Sequence, residues 1–125
     1  MIIYRVQDIE GRGPFKPNFS HLWLDEQLSE QRLWLKSWGQ EFGYDLLTKE
    51  GRTDEWFGSA VTNLEQLTCW FSSTERRRLK HLGYKIARID DARILAESTM
   101  QVVFARLKPL HVDVQIIPWK ILHFS

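Results

Sequence analysis

The sequence predicts an α+β fold, a single small domain in which helices pack against a mixed or antiparallel central sheet. Three observations predict it. A strand-like segment opens the chain, two helix-capping signals follow one another near its middle, and its last third is rich in β-branched runs. Strands, then helices, then strands again argue against alternating β-α units.

Residues 2–7 (Ile-Ile-Tyr-Arg-Val-Gln) read as the first strand, being rich in β-branched and aromatic types. Residues 10–20 hold two glycines and two prolines, and predict a stiff loop, rigid over Gly13–Pro17. Its amides lie close in sequence to Arg12 and Lys16. Over 25–38 the spacing of Leu28, Arg32, Leu35 and Trp38 predicts a helix, with Asp25 and Glu26 at its positive end. Residues 39–58, punctuated by four glycines, read as an irregular surface segment with at most a short helical turn.

Thr62-Asn63-Leu64-Glu65 has the form of a capping box, with Thr62 as the cap, and opens a helix over 63–71. Ser72-Ser73-Thr74-Glu75 is a second such signal, opening a helix through Leu82 that Gly83 terminates. Strands are expected at 84–89, 100–107 and 112–119, with turns at Asp90-Asp91 and around Pro109, and 101–106 as a central buried strand.

With 125 residues the chain has the length of one domain, 1–125, able to bury a core without staples. Six tryptophans are spread along it, most of them expected in the core and one or two on a binding surface. A net charge of +1 gives no electrostatic case for nucleic acid or an anionic membrane. No apolar run approaches a membrane span, no leader-like segment opens the chain, and the lone Cys69 suits a reducing cytoplasm, where it reads as a small buried hydrophobe. The expected location is cytoplasmic, without a membrane partner.

Motifs for chemistry are sparse. His21, His81, His111 and His123 have no ligand spacing, so no metal is expected. Gly58-Ser59 lacks the second glycine of a nucleophile elbow. Gly11-x-Gly13 lacks the third glycine of a dinucleotide fingerprint, and Pro14 and Pro17 forbid the helix that would follow. The loop can still offer amides and Arg12 to a phosphate. Arg76-Arg77-Arg78 reads as a solvated helix face, or as a contact to phosphates or an acidic partner.

Three stretches carry a resemblance: the first strand with Tyr4-Arg5, residues 57–71 (Phe-Gly-Ser-Ala-Val-Thr-Asn-Leu-Glu-Gln-Leu-x-x-Trp-Phe), and Gln101-Val102-Val103-Phe104. In that order they resemble the ADP-ribosyltransferase-like superfamily. The resemblance implies that a polar residue on the first strand helps hold NAD. It also implies that a middle strand leads into a helix beneath the nicotinamide pocket, and that a late strand starts with Glu or Gln. Carried over, it makes Arg5, Arg12, Ser59, Trp70 and Phe71 cofactor-binding residues, and Gln101 the catalytic-position residue, with Glu97 as a substitute carboxylate. Position 101 is Gln rather than Glu, and the middle segment lacks a Ser-Thr-Ser or Tyr signature. The chain is also similar to small bacterial and prophage proteins, through Tyr4-Arg5-Val6-x-Asp8, Gly11-Arg12-Gly13-Pro14-Phe15 and Gln66-Leu67-x-x-Trp70-Phe71.

Two expectations follow. One is an ADP-ribosyltransferase-like protein of a bacterium or prophage that binds NAD or a related nucleotide. It is either active, as a transferase or NAD glycohydrolase, or catalytically degenerate. The other is a non-enzymatic phage or mobile-element protein that binds a protein target in the host cell, such as an inhibitor of a CRISPR-type defence complex. The first requires Arg5, Ser59 and Gln101 to meet at one pocket, with Arg5 exposed there and carrying little packing. It also makes Gln101→Glu the change expected to restore a carboxylate and NAD hydrolysis.

Overall fold

The computed structural model describes residues 1–15, 18–25 and 37–124. The architecture is α+β. Among the described residues six strands, β1 (Ile3–Gln7), β2 (Trp56–Ala60), β3 (Lys85–Ile89), β4 (Arg93–Glu97), β5 (Val102–Arg106) and β6 (Gln115–Ile117), form two antiparallel three-stranded sheets. One has the order β1-β3-β6, the other β2-β5-β4. An antiparallel bridge, Tyr4 opposite Val61, joins β1 to the chain just after β2.

The helices are short: α1 (Trp38–Phe42), α2 (Leu46–Glu50), α3 (Leu67–Trp70) and α4 (Ser73–His81). In α4 the expected capping box is complete. Ser72 Oγ accepts from the Glu75 amide at 3.2 Å, and Glu75 Oε1 accepts from the Ser72 amide at 2.9 Å. Fully buried Glu75 also accepts from the Asp25 amide at 2.9 Å, so the cap ties two chain segments together. Gly83, at φ +92°, closes α4: its amide reaches the Lys80 carbonyl, and that of Tyr84 reaches Leu79. Ser72→Ala is expected to lower stability by about 1 kcal/mol, read as a shift of the urea midpoint.

The first capping signal works differently from expectation. Asn63, not Thr62, is the cap, its Oδ1 accepting from the Glu65 amide at 2.8 Å. The first turn is a 3-10 turn (Leu64–Gln66) before α3 begins. Residues 39–58 hold more structure than expected, since α1, α2 and most of β2 fall there. Trp38 begins a helix rather than ending one. Its cap is Ser37, whose side chain accepts from the Gln40 amide. The rest of the helix expected at 25–38 lies largely outside the described residues, as do Lys16 and Pro17 of the expected rigid loop.

Strand β5 lies between β2 and β4 with all five residues buried, as the apolar run required. It covers one core of Ile3, Ala60, Ile89, Ala92, Val102 and Phe104. A second core gathers Val6, Trp23, Val61, Leu67, Phe71, Leu79, Tyr84, Ile86, Trp119 and Leu122. The indole N–H groups of Trp23, Trp70 and Trp119 each donate to a backbone carbonyl, of Pro14, Met100 and Tyr84 respectively. That is the condition for placing an indole inside. The Arg76-Arg77-Arg78 run is largely structural. Arg76 is buried, with Nη1 donating to the Phe71 carbonyl at 2.7 Å, and Arg78 Nη1 reaches the carbonyls of Trp23 and Leu24. Cys69, read as buried, is exposed on α3. No helix among the described residues is long and apolar enough to cross a membrane.

Candidate functional site

The site is a cleft opened by the splitting of two strands. β1 pairs with β3 along one edge, and β2 pairs with β5 along one edge. Their other edges meet at the Tyr4–Val61 bridge, where the paired amides and carbonyls lie at 2.8 and 2.9 Å. Among the described residues the pairing goes no further. Arg5 and Val6 on β1 and residues 57–60 on β2 line a cavity of about 860 Å³. That is within the size range of small-molecule and cofactor sites.

Arg5 crosses the cleft. It is 8% exposed, and its side chain lies over the Phe104 ring, 5.8 Å from the centroid. Its Nη1 is so close to Gly58 that a Cβ there would come within 1.8 Å. Only a strand position without a side chain admits the guanidinium, which accounts for a glycine in the middle of β2. Nη2 has a long contact to the Gly11 carbonyl, 3.4 Å, while buried Nε and Nη1 have no hydrogen-bond partner among the described residues. Burial pushes the Arg5 pKa down to about 10, with Asp8 offsetting part of the shift. A buried guanidinium left short of acceptors calls for an anion. Gly58→Ala is expected to drive Arg5 from the cleft. The change should appear as a lower thermal midpoint and as loss of the Arg5–Phe104 contact in the Phe104 ring NMR shifts.

The cleft has an aromatic side. Phe15, itself exposed, stacks on Phe71 at 5.9 Å and meets Trp23 and Trp70 edge-on at 5.1 and 6.3 Å. Trp38, Trp56 and Phe57 continue the lining. The rim is the 8–13 turn. Asp8 Oδ1 accepts from the amides of Glu10 and Arg12, both at 2.9 Å, and Gly11 takes φ +84°. Exposed Arg12 pairs with Glu10 at 3.4 Å on that rim.

Gln101 closes the far end. It immediately precedes β5, after a tight turn from β4 in which the Ser98 amide donates to the Gln101 carbonyl at 2.9 Å. The turn is clamped from outside. Gln66 Nε2 donates to the Thr99 carbonyl and Trp70 Nε1 to that of Met100. From α1, Glu41 Oε1 accepts from Gln101 Nε2 at 3.0 Å and from the Ser98 hydroxyl at 2.8 Å.

Arg5, Arg12, Ser59, Trp70, Phe71 and Gln101 therefore line one cavity, although they are far apart in sequence. Glu97 does not join them. It lies exposed at the end of β4, outside the lining, because the turn that follows carries Gln101 away from it. Arg5 differs from expectation in being buried. It shares a face of β1 with fully buried Ile3, since residues two apart point the same way, and so it carries packing as well as charge. Alternation likewise puts Ser59 on the opposite face of β2 from Gly58, the residue against which Arg5 lies. The sequence reading missed Glu41, which lies on a helix that was not expected. Among the described residues no cluster of His, Cys, Asp and Glu could hold a metal ion.

A protein-family model described as Bacteriophage T4 Y00F protein matches residues 1–116, nearly the whole chain and every strand that builds the cleft. The chain belongs to the bacteriophage T4 Y00F family. It is thus a phage-type protein, in keeping with the resemblance to small prophage proteins read from Tyr4–Phe15 and Gln66–Phe71. No curated protein and no solved structure matches it.

Proposed function

We propose that this Y00F-family protein binds NAD or a closely related nucleotide in the cleft between β1 and β2, as a catalytically degenerate ADP-ribosyltransferase-like protein. The observation that carries the reading is Arg5, a nearly buried guanidinium with two nitrogens unpartnered among the described residues, at a cavity that also has an aromatic side. A nucleotide brings both complements, a phosphate for the cation and a planar ring for Phe15, Trp70 or Phe71.

The order of the site residues supports the finer part of the reading. A polar residue on the first strand, a middle strand followed by a helix, and a Gln just before a late strand meet at one cavity. The degenerate part rests on the carboxylates. Glu10, on the rim, pairs with Arg12, and Glu41 holds Gln101 from behind. A cleavage reaction that builds positive charge on a ribose needs an anionic group facing it, and an amide at position 101 supplies only a dipole.

Isothermal titration calorimetry and thermal shift with NAD, ADP-ribose and ATP test the reading. NAD is expected to bind and raise the midpoint, without release of nicotinamide over hours. If no nucleotide shifts the protein, the nucleotide reading falls and the host-protein interaction reading takes its place.

A further inference from the structure

We propose that the outer edge of β6 is a docking site for an acidic, extended segment of a partner protein, which adds to the sheet as a further strand. This surface shares no lining residue with the cleft and does not depend on the nucleotide reading. β6 is the last strand of the order β1-β3-β6. Its Gln115, Ile116 and Ile117 pair with Arg88, Ala87 and Ile86 of β3, and no strand among the described residues pairs with its other edge. An edge in that state presents backbone amides and carbonyls on which another chain can build.

The side chains beside that edge decide what fits it. Alternation turns Ile117 and Ile116 to opposite faces. Ile117 packs against the core that holds Val6 and Ile86, whereas Ile116 stands 48% exposed. A groove of about 320 Å³ lies here, lined by Ile116, Pro118 and, past the end of α4, Gly83. Lys80, Lys85 and Lys120 line the same groove, and no Asp or Glu does. All three lysines are exposed, and none has an ion-pair partner among the described residues. The helix dipole accounts for Lys80, in the last turn of α4, but not for Lys85 on β3 or for Lys120 beyond Pro118. Lys85 falls on the same face as Ile116, because Ala87, two residues along β3, is the partner of Ile116.

Charge selects the occupant. A second copy of this chain, pairing β6 with β6, would bring the three lysines of each copy to one seam, and like charges across a strand pair repel. Lysine beside an edge strand guards against such self-pairing. The same charges attract an acidic chain. Its backbone supplies the ladder, an apolar residue covers Ile116, and an Asp or Glu two positions along the same face reaches Lys85. Nucleic acid brings the charge but neither the ladder nor the apolar side chain.

Short random peptides from a display library, selected against the full chain, test this. Enrichment of peptides with a β-branched or aromatic residue two positions from an Asp or Glu is expected. An enriched peptide, made synthetically, should shift the amide resonances of Gln115, Ile116 and Ile117. N-methylation of its central amides keeps its charge but removes its donors, and should weaken binding by about tenfold or more. The protein is unchanged in that comparison. Lys85→Glu combined with Lys120→Glu alters two exposed positions, so the thermal midpoint should hold. Binding should again fall by about tenfold, as two attractions become repulsions, and the same selection should now return basic peptides. Peptides without an acidic bias, binding that survives N-methylation, or shifts confined to the β1–β2 cleft overturn the proposal. So does dimerisation through β6 as protein concentration rises, or a short oligothymidylate that moves the β6 resonances at lower concentration than the peptide. Failure to enrich any peptide reduces the lysines to guards of the edge and overturns it equally.

Discussion

Arg5→Met is expected to make the ligand-free protein more stable while weakening its binding of nucleotides. Lowering a guanidinium from its ordinary range to about 10 means that burial disfavours the charged form, by roughly 3 kcal/mol at about 1.36 kcal/mol per pH unit. Methionine fills similar space along the stem without charge. What it gives up is small: a long contact to the Gly11 carbonyl and the placement over Phe104, each worth about 1 kcal/mol or less. The net expectation is a gain of about 1–2 kcal/mol, or a midpoint higher by roughly 3–8 °C. Binding of NAD should weaken by about 10- to 100-fold, the value of a charge-assisted hydrogen bond to phosphate. Arg5→Ala is the poorer probe, because a cavity beside Phe104 would add its own cost. A lower midpoint for Arg5→Met together with unchanged NAD affinity would show that the guanidinium is structural and the cleft is not an anion site.

The pH dependence gives the same claim a second form. The unfolded-state pKa of Arg5 lies above the folded-state value, so the unfolded chain holds more protons from about pH 10 upward to the ordinary guanidinium range. Over that window this group makes stability rise with pH, and below it the penalty is present in full. The advantage of Arg5→Met should therefore be flat from about pH 6 to pH 9 and shrink only above about pH 10. Paired wild-type and Arg5→Met urea titrations across pH measure it, and a gain that varies near neutrality would point to a different group.

The fold was legible wherever local chemistry and tertiary packing agreed. Ser72 and Glu75 satisfy each other within one turn, so four residues sufficed to locate α4. Val102–Arg106 is apolar along its length because it is the middle strand, and a middle strand has no wet face. Strand β4 went unread for the opposite reason. Arg93, Leu95, Ala96 and Glu97 favour helix, and only pairing with β5 and the Arg93–Glu55 ion pair hold them extended. β2 was hidden by Gly58, which weakens a strand on its own and makes sense only once Arg5 is laid against it. The site was legible in its strand residues and not in its support. Arg5, Ser59 and Gln101 come from segments with a recognisable pattern. Glu41 lies on a five-residue helix whose place depends on contacts with the 98–101 turn, and nothing local in the sequence announces those.

That hidden carboxylate changes what Gln101→Glu should do. Taken alone, the substitution appears to restore the acidic group that the superfamily pattern places at the start of the late strand. In the fold it would set a carboxylate about 3 Å from Glu41 Oε1, where the amide proton now sits, at a position 4% exposed. Two carboxylates at that distance cannot both ionise. They share a proton, and the pair titrates with one value raised well above the usual range. A raised folded-state value contributes stability at low pH that is lost as pH rises through it. Gln101→Glu should therefore approach wild-type stability in acid and be about 2–4 kcal/mol less stable at neutral pH, where a hydrogen bond has become a repulsion. It should show no NAD cleavage. Exchanging the pair, Glu41→Gln with Gln101→Glu, restores one donor facing one acceptor at unchanged net charge, and moves the carboxylate from behind the amide to the cleft side. The double variant is expected to recover the wild-type midpoint and to follow the wild-type pH profile, an interaction that a double-mutant cycle reads directly. It is also the variant in which nicotinamide release from NAD should first become measurable. A single variant as stable as wild type at neutral pH would mean that Glu41 and Gln101 do not face each other. A double variant that regains stability but binds NAD without cleaving it would confine the site to recognition.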